Sequence, residues 1–180
     1  TGAVEENSKV VERLIKEKIR GQGLSLAVLP FNSFIGNETI TKENVSKFAE
    51  PLNGKSYNIA AALAKKYQVN LLFSMPESAD GKYYETAVLF DFTGKQIGLY
   101  RKSHLNAVEK TWATAGNELP VFNSTIGRIG VVLNDEARIP EVTDMYMLKR
   151  ANLLLVPVAY NQKEYGGDVK IPKGLIPEES

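Results

Sequence analysis

Apolar residues recur at helical spacing near the start of the chain. Val10, Val11, Leu14, Ile15 and Ile19 fall on one face, and Gly21 and Gly23 supply a stop, so the spacing predicts a helix over residues 5–20. LSLAVLP follows at residues 24–30, an apolar run of strand length bounded by glycine and proline. A second helical region is predicted over about 42–67. It is broken near Pro51 and Asn53-Gly54, and Ile59, Ala60, Leu63 and Ala64 form its apolar stripe. VNLLFSMP then has the character of a buried strand. YYETAVLFDFTGKQIGLYRK alternates on either side of Thr93-Gly94, the signature of a hairpin whose two strands are expected to be long and central. VFNSTIGRIGVVL repeats this pattern, with a turn near Ser124 and a strand ending at Leu133. Residues 140–150 are predicted helical, and ANLLLVPVAY supplies the last strand.

Helices alternating with buried strands and hairpins imply an α/β domain with mixed sheets covered by helices. The pattern supports one domain over residues 1–161, followed by an irregular tail over 162–180 that is rich in proline and glycine. In such architectures sites gather where strands end. Three turns therefore matter: after Leu29, after Tyr100 and after Leu133. The last of these, in GVVLNDEARIPE, runs from an apolar strand straight into Asn134, Asp135 and Glu136, then Arg138.

Charge and composition narrow the partners. With 22 basic against 21 acidic residues the net charge is +1, which creates no general field for nucleic acid or for an anionic membrane surface. No apolar run approaches the roughly 18 residues that span a bilayer, and no secretory pattern opens the chain, so no direct membrane insertion is expected. None of this fixes a compartment. The absence of cysteine excludes disulfides, thiolate metal sites and thiol nucleophiles. With a single histidine, His104, no metal and no cofactor are expected.

The segments LAVLPFNSFIG, LAKKYQVNLLFSMPE, YETAVLFDFTGKQIGLYRKSHL, AGNELPVFNSTIGRIGVVLNDEARIPE and RANLLLVPVAYN together resemble the carbon-nitrogen hydrolase, or nitrilase, superfamily, in its order and at its spacing. That resemblance implies an α-β-β-α sandwich, shortened relative to the family. It also implies chemistry through a cysteine nucleophile, a glutamate base and a lysine, with a second glutamate nearby. The family's lysine falls on Lys102 of YRKSHL and its second glutamate on Glu109. The base position holds Phe31 and the nucleophile position Asn134, so two of the three catalytic groups are replaced. A phenyl ring handles no proton, and a carboxamide is no nucleophile at neutral pH.

The expectation from these residues is a catalytically inactive domain that binds a ligand, senses, or engages a protein. Lys102, Glu109, Asn134 and Phe31 are its ligand-binding candidates, for a small polar amide, carboxylate or amine. Phe31 is expected to wall the pocket and make it drier. Asp135, Glu136, Arg138 and Glu141 are assigned to bracing the turn, with Glu136 and Arg138 in the family's bracing positions. The alternative is a hydrolase of non-peptide C–N bonds with an unrecognised nucleophile, and a second alternative is a structural oligomerisation domain. Ser33 and Ser103 are candidate nucleophiles, but Ser103 and His104, as strand neighbours, are expected to point to opposite faces. The resemblance further implies a homodimer, or a partner chain that completes the sheet.

Overall fold

The computed structural model describes residues 2–36 and 39–159. The predicted boundary at 161/162 and the tail lie outside the described residues. Helix α1 spans Gly2–Gln22, followed by strand β1, Leu26–Val28. The second helical region divides where the sequence breaks it, into α2, Val45–Phe48, and α3, Lys55–Tyr67. Three strands follow: β2, Asn70–Ala79; β3, Lys82–Phe90; and β4, Gln96–Arg101. After a 3-10 turn at Glu109–Thr111 come β5, Phe122–Ser124, and β6, Gly127–Val131. A second 3-10 turn at Asn134–Arg138 leads into α4, Pro140–Leu148, and then β7, Leu153–Leu155.

The strands form two sheets. One has the order β1-β2-β3-β4, parallel between β1 and β2 and antiparallel beyond; the other has the order β5-β6-β7, with β6 and β7 parallel. Side-chain alternation separates three apolar layers. Leu71, Phe73, Val88 and Phe90 face α1 and α3 together with Val11, Ile15, Ala60 and Leu63. Leu72, Ala87, Leu89 and Tyr100 face the other way and meet Ile129 and Val131 of the second sheet and Leu133 just beyond β6. Val132 packs outward with Val142 and Tyr146 of α4. This is the expected α-β-β-α sandwich, with its middle layer between the two sheets.

Several local readings differ from the structure. α1 buries Val4, Val11 and Ile15 at intervals of seven and four, whereas Val10 and Leu14 are about half exposed, since the buried stripe is one residue wide per turn. Ile19's side chain lies outside the described residues. β3 is interior, but β4 is at the edge of the described sheet rather than central. β2 and β3 are themselves a hairpin, closed by Asp80-Gly81 with positive φ at both residues (51° and 73°). That dipeptide is the favoured pair for such a turn. β6 and β7 are shorter than the apolar runs that contain them.

One glycine is required by packing. A Cβ on Gly130 of β6 would sit 2.5 Å from the ring of Tyr146, which is fully buried and donates its hydroxyl to Val131 O at 2.7 Å. The ring has nowhere to retreat. Gly130→Ala is expected to cost about 1–3 kcal/mol in urea unfolding. Tyr146→Leu in the same background should recover part of that loss.

Candidate active site

The site grows from the end of β4. Lys102, the first residue past the strand, donates its amide to Glu85 O at 2.8 Å, and its own carbonyl accepts from Gly116 N at 2.8 Å. The side chain therefore continues the inward alternation of Tyr100 and is wholly buried. Its ammonium donates to both oxygens of Glu109, at 2.7 and 2.6 Å, and to Asp135 Oδ1. Glu109 is held from its own loop, where Asn106 N donates to the carboxylate at 2.8 Å and Asn106 Oδ1 accepts from Glu109 N at 2.9 Å. Lys102 and Glu109 thus form an ion pair, extended to a triad by Asp135. Asp135, assigned from sequence to bracing the turn, instead reaches Lys102. Burial pulls the lysine's pKa down, and the Asp135 and Glu109 carboxylates outweigh it, so Lys102 is held protonated. Burial pushes Glu109 above the usual carboxylate value against the pull of that ammonium.

A third carboxyl adjoins this group. Glu85 of β3 is 2% exposed and shares the inner face with Ala87 and Leu89. Asn32 Nδ2 donates to both of its oxygens at 3.1 Å, and Asn32 N donates to Ser74 Oγ of β2 at 2.8 Å. Burial pushes the Glu85 carboxyl up to about 8; the Asn32 hydrogen bond opposes this, the Glu109 charge adds to it and Lys102 opposes it. Neither Asn32 nor Glu85 emerges from the sequence reading. The available signal was parity, because Glu85 lies two residues before Ala87 and four before Leu89 on a strand face bound for the core.

The turn at residue 134 keeps the form of an elbow. Asn134 has φ of 52°, in the left-handed region that asparagine tolerates better than most residues. Its amide donates to Pro157 O at 3.0 Å, and Ala159 N approaches its Oδ1 at 3.4 Å. Phe31 stands close by in the chain's contacts, since its amide donates to Val158 O at 3.3 Å. Phe31 packs against the middle apolar layer while remaining only half-buried. Asn134 is likewise half-buried, and Asp135 retains 31% of its side-chain exposure, so the triad is reached from the elbow side.

Bracing runs through Glu136, which is wholly buried. Its Oε1 accepts from Tyr100 Oη (2.7 Å), Ser103 N (3.0 Å), Ser103 Oγ (3.0 Å) and His104 N (2.9 Å), and its Oε2 accepts from Leu133 N (2.9 Å). One carboxylate thus ties the elbow to the YRKSHL segment. Arg138 lies exposed on the same turn. Ser103 and His104 do not face opposite ways: the chain has left the strand and bends, so Ser103 Oγ meets His104 Nδ1 at 2.9 Å. That same nitrogen is 3.7 Å from Glu136. Serine and carboxylate therefore share one ring atom, and the acid does not orient the imidazole from its far side as a nucleophile's base requires. Ser33 Oγ is buried with no hydrogen-bond partner. Among the described residues, no group of His, Asp and Glu is placed to hold a metal ion.

Residues 1–172 match the family model described as carbon-nitrogen hydrolase. The chain belongs to the carbon-nitrogen hydrolase family. Omega-amidase NIT2 of Danio rerio is 30% identical over 168 residues, which cover 87% of this chain and 58% of the relative. Deaminated glutathione amidase of Synechocystis sp. is 31% identical over 171 residues, covering 86% and 61%. Among solved structures, the carbon-nitrogen hydrolase of Helicobacter pylori G27 superposes with a TM-score of 0.78 at 24% identity, over 93% of this chain and 59% of that one. Nit3 of Saccharomyces cerevisiae, a member of branch 10 of the nitrilase superfamily, gives 0.77 at 23%, over 90% and 61%. The chain spans about three-fifths of the length of these four proteins. The structural likenesses establish the sandwich as the nitrilase-superfamily fold.

Glu85 makes the stability of this carbon-nitrogen hydrolase domain depend on pH with a definite sign. Its folded pKa, about 8, lies above its ordinary 4.5. Between those values the folded chain keeps a proton that the unfolded chain has released. Stability therefore falls as pH rises through this window, with a slope of up to about 1.4 kcal/mol per pH unit. Glu109, also raised, adds to the same trend. Glu85→Gln is expected to flatten the profile and to gain stability at the alkaline end, as read by urea unfolding at several pH values. An unchanged slope would mean that Glu85 is ionised in the folded state at neutral pH.

Proposed function

We propose that this domain hydrolyses the C–N bond of a small amide by a route that forms no thioester. The observation that carries the reading is the buried Lys102 ammonium, fixed between Glu109 and Asp135 at the foot of the Asn134 elbow. A preorganised cation in a dry site stabilises charge developing on a carbonyl oxygen, and the Asn134 carboxamide offers a second donor beside it. Kinship with proteins named omega-amidase and deaminated glutathione amidase supports an amide as the bond. It supports hydrolysis more directly than it supports an inert domain. The described site offers no thiol, which favours direct attack by water. Where a catalytic triad is incomplete, the remaining polarising groups still give roughly 10³- to 10⁴-fold over water, so a slow rate is expected.

A second reading, binding of a small amide, carboxylate or amine without turnover, is favoured by Phe31 and Asn134, neither of which attacks a carbonyl or accepts a proton. Ammonia release from succinamate, a primary amide carrying a carboxylate, separates the two. Hydrolysis requires release above the uncatalysed rate, reduced in Asn134→Gly, which keeps the left-handed backbone and removes the carboxamide. A thermal shift with succinamate but no ammonia supports binding alone. Silence in both assays leaves a structural, oligomer-forming role.

A further inference from the structure

We propose that Glu85, gripped by Asn32, is the proton-accepting group of this site and activates a water molecule for attack on the amide carbon. The inference rests on the hydrolysis reading and supplies the group that Phe31 does not. Asn32 immediately follows Phe31, so the loop that would have presented a carboxylate of its own instead seizes one from β3, two strands across the sheet from β1. Asn32 is 6% exposed with φ of 50°, and both Glu85 oxygens accept from its Nδ2. The carboxyl shares the inner face of the sheet with Lys102, one strand away, and its carbonyl accepts the Lys102 amide. Two further polar atoms there are buried and unpartnered, Asn32 Oδ1 and Ser33 Oγ. Buried polar atoms are nearly always paired, so two adjacent orphans point to a small polar molecule, water or substrate, that completes them.

The charged groups around Glu85 are few. Lys102 from the end of β4 and Glu109 from the 3-10 turn act on it directly. Asp135 acts through Lys102. Glu77 of β2 lies on the opposite face, paired with Arg101 and Thr86. Two carboxylates thus hold the ammonium and a third, Glu85, feels its charge from farther off; that third group exchanges a proton at about pH 8, close to the range in which a base works best.

In the step, a water O–H bond breaks and the proton moves to the Glu85 carboxylate while the water oxygen bonds to the amide carbon. The carbonyl electron pair moves onto its oxygen beside Lys102. Collapse restores the carbonyl and breaks the C–N bond, and the leaving nitrogen takes the proton from Glu85. The immediate products are a carboxylic acid and ammonia, and the acid's remaining proton passes to ammonia to give a carboxylate and ammonium.

The test is ammonia release from succinamate by the full chain as a function of pH. The wild-type rate should rise through about pH 8 as Glu85 ionises, and Glu85→Gln should lower it by about 10²-fold or more. Asn32→Ala removes a hydrogen bond that favours the ionised form, so its profile should move to higher pH, a displacement that loss of packing alone would not produce. It also decides the matter if Glu85→Gln proves poorly folded by near-UV circular dichroism. A folded Glu85→Gln with the wild-type rate and profile, or an unmoved Asn32→Ala profile, overturns the role of Glu85 and leaves hydrolysis standing. No ammonia from the wild-type chain overturns both.

Discussion

Replacing Lys102 by methionine is expected to cost about 3–5 kcal/mol near pH 8, because it strands buried charge with its partner gone. The side chain is wholly buried, and both Glu109 oxygens and Asp135 depend on it. Methionine fills the same space, so the loss isolates the charge. It should shrink as the pH is lowered toward 5. Glu109, already pushed upward by burial, can then take a proton and cease to need a cation. Urea unfolding at the two pH values measures both numbers. An equal loss at each would mean that the methylene stem, not the ammonium, matters. Any amide hydrolysis should disappear with it.

Glu136→Ala is expected to be similarly severe, about 4 kcal/mol or more, because five donors lose one shared acceptor in a buried place. Tyr100 is the most exposed to the loss: burial and the Glu136 carboxylate push its pKa upward, so it remains a donor with nothing to receive its proton. Glu136→Gln should cost less than alanine, since an amide oxygen can still serve the four donors that share Oε1. It then turns its NH2 toward Leu133 N. Faster hydrogen exchange at the Leu133, Ser103 and His104 amides would identify the elbow as the part that loosens. Unaltered exchange there, with a smaller loss of stability, would place the bracing elsewhere.

Much of this was legible in the chain. Periodicity and breakers located both halves of the second helical region, the Thr93-Gly94 hairpin and the helix that begins at Pro140, because each is a local pattern with a local cause. Lys102 and Glu109 were singled out from the match to the family, and the structure brings them into one ion pair. What stayed hidden depends on stacking. Glu85 sits between Tyr84 and Thr86 as an ordinary polar residue at a strand's start, and becomes a buried acid only when the second sheet closes over that face. Asp135 reads as part of a charged turn until the elbow swings it toward a lysine 33 residues earlier. Ser103 and His104 were misread by extending strand alternation one step past its end. Val10 and Leu14 satisfied helical spacing without being covered, since periodicity identifies a face but not its width.

The strands' last contacts carry a mechanical implication. Residues 157–159 take hydrogen bonds from Phe31 N and Asn134 N and give one to Asn134 Oδ1. A single short segment thus sutures the Phe31 loop to the Asn134 elbow. Any displacement of residues 157–159 would therefore be felt at Phe31 and Asn134 together, so the loop and the elbow share one anchor.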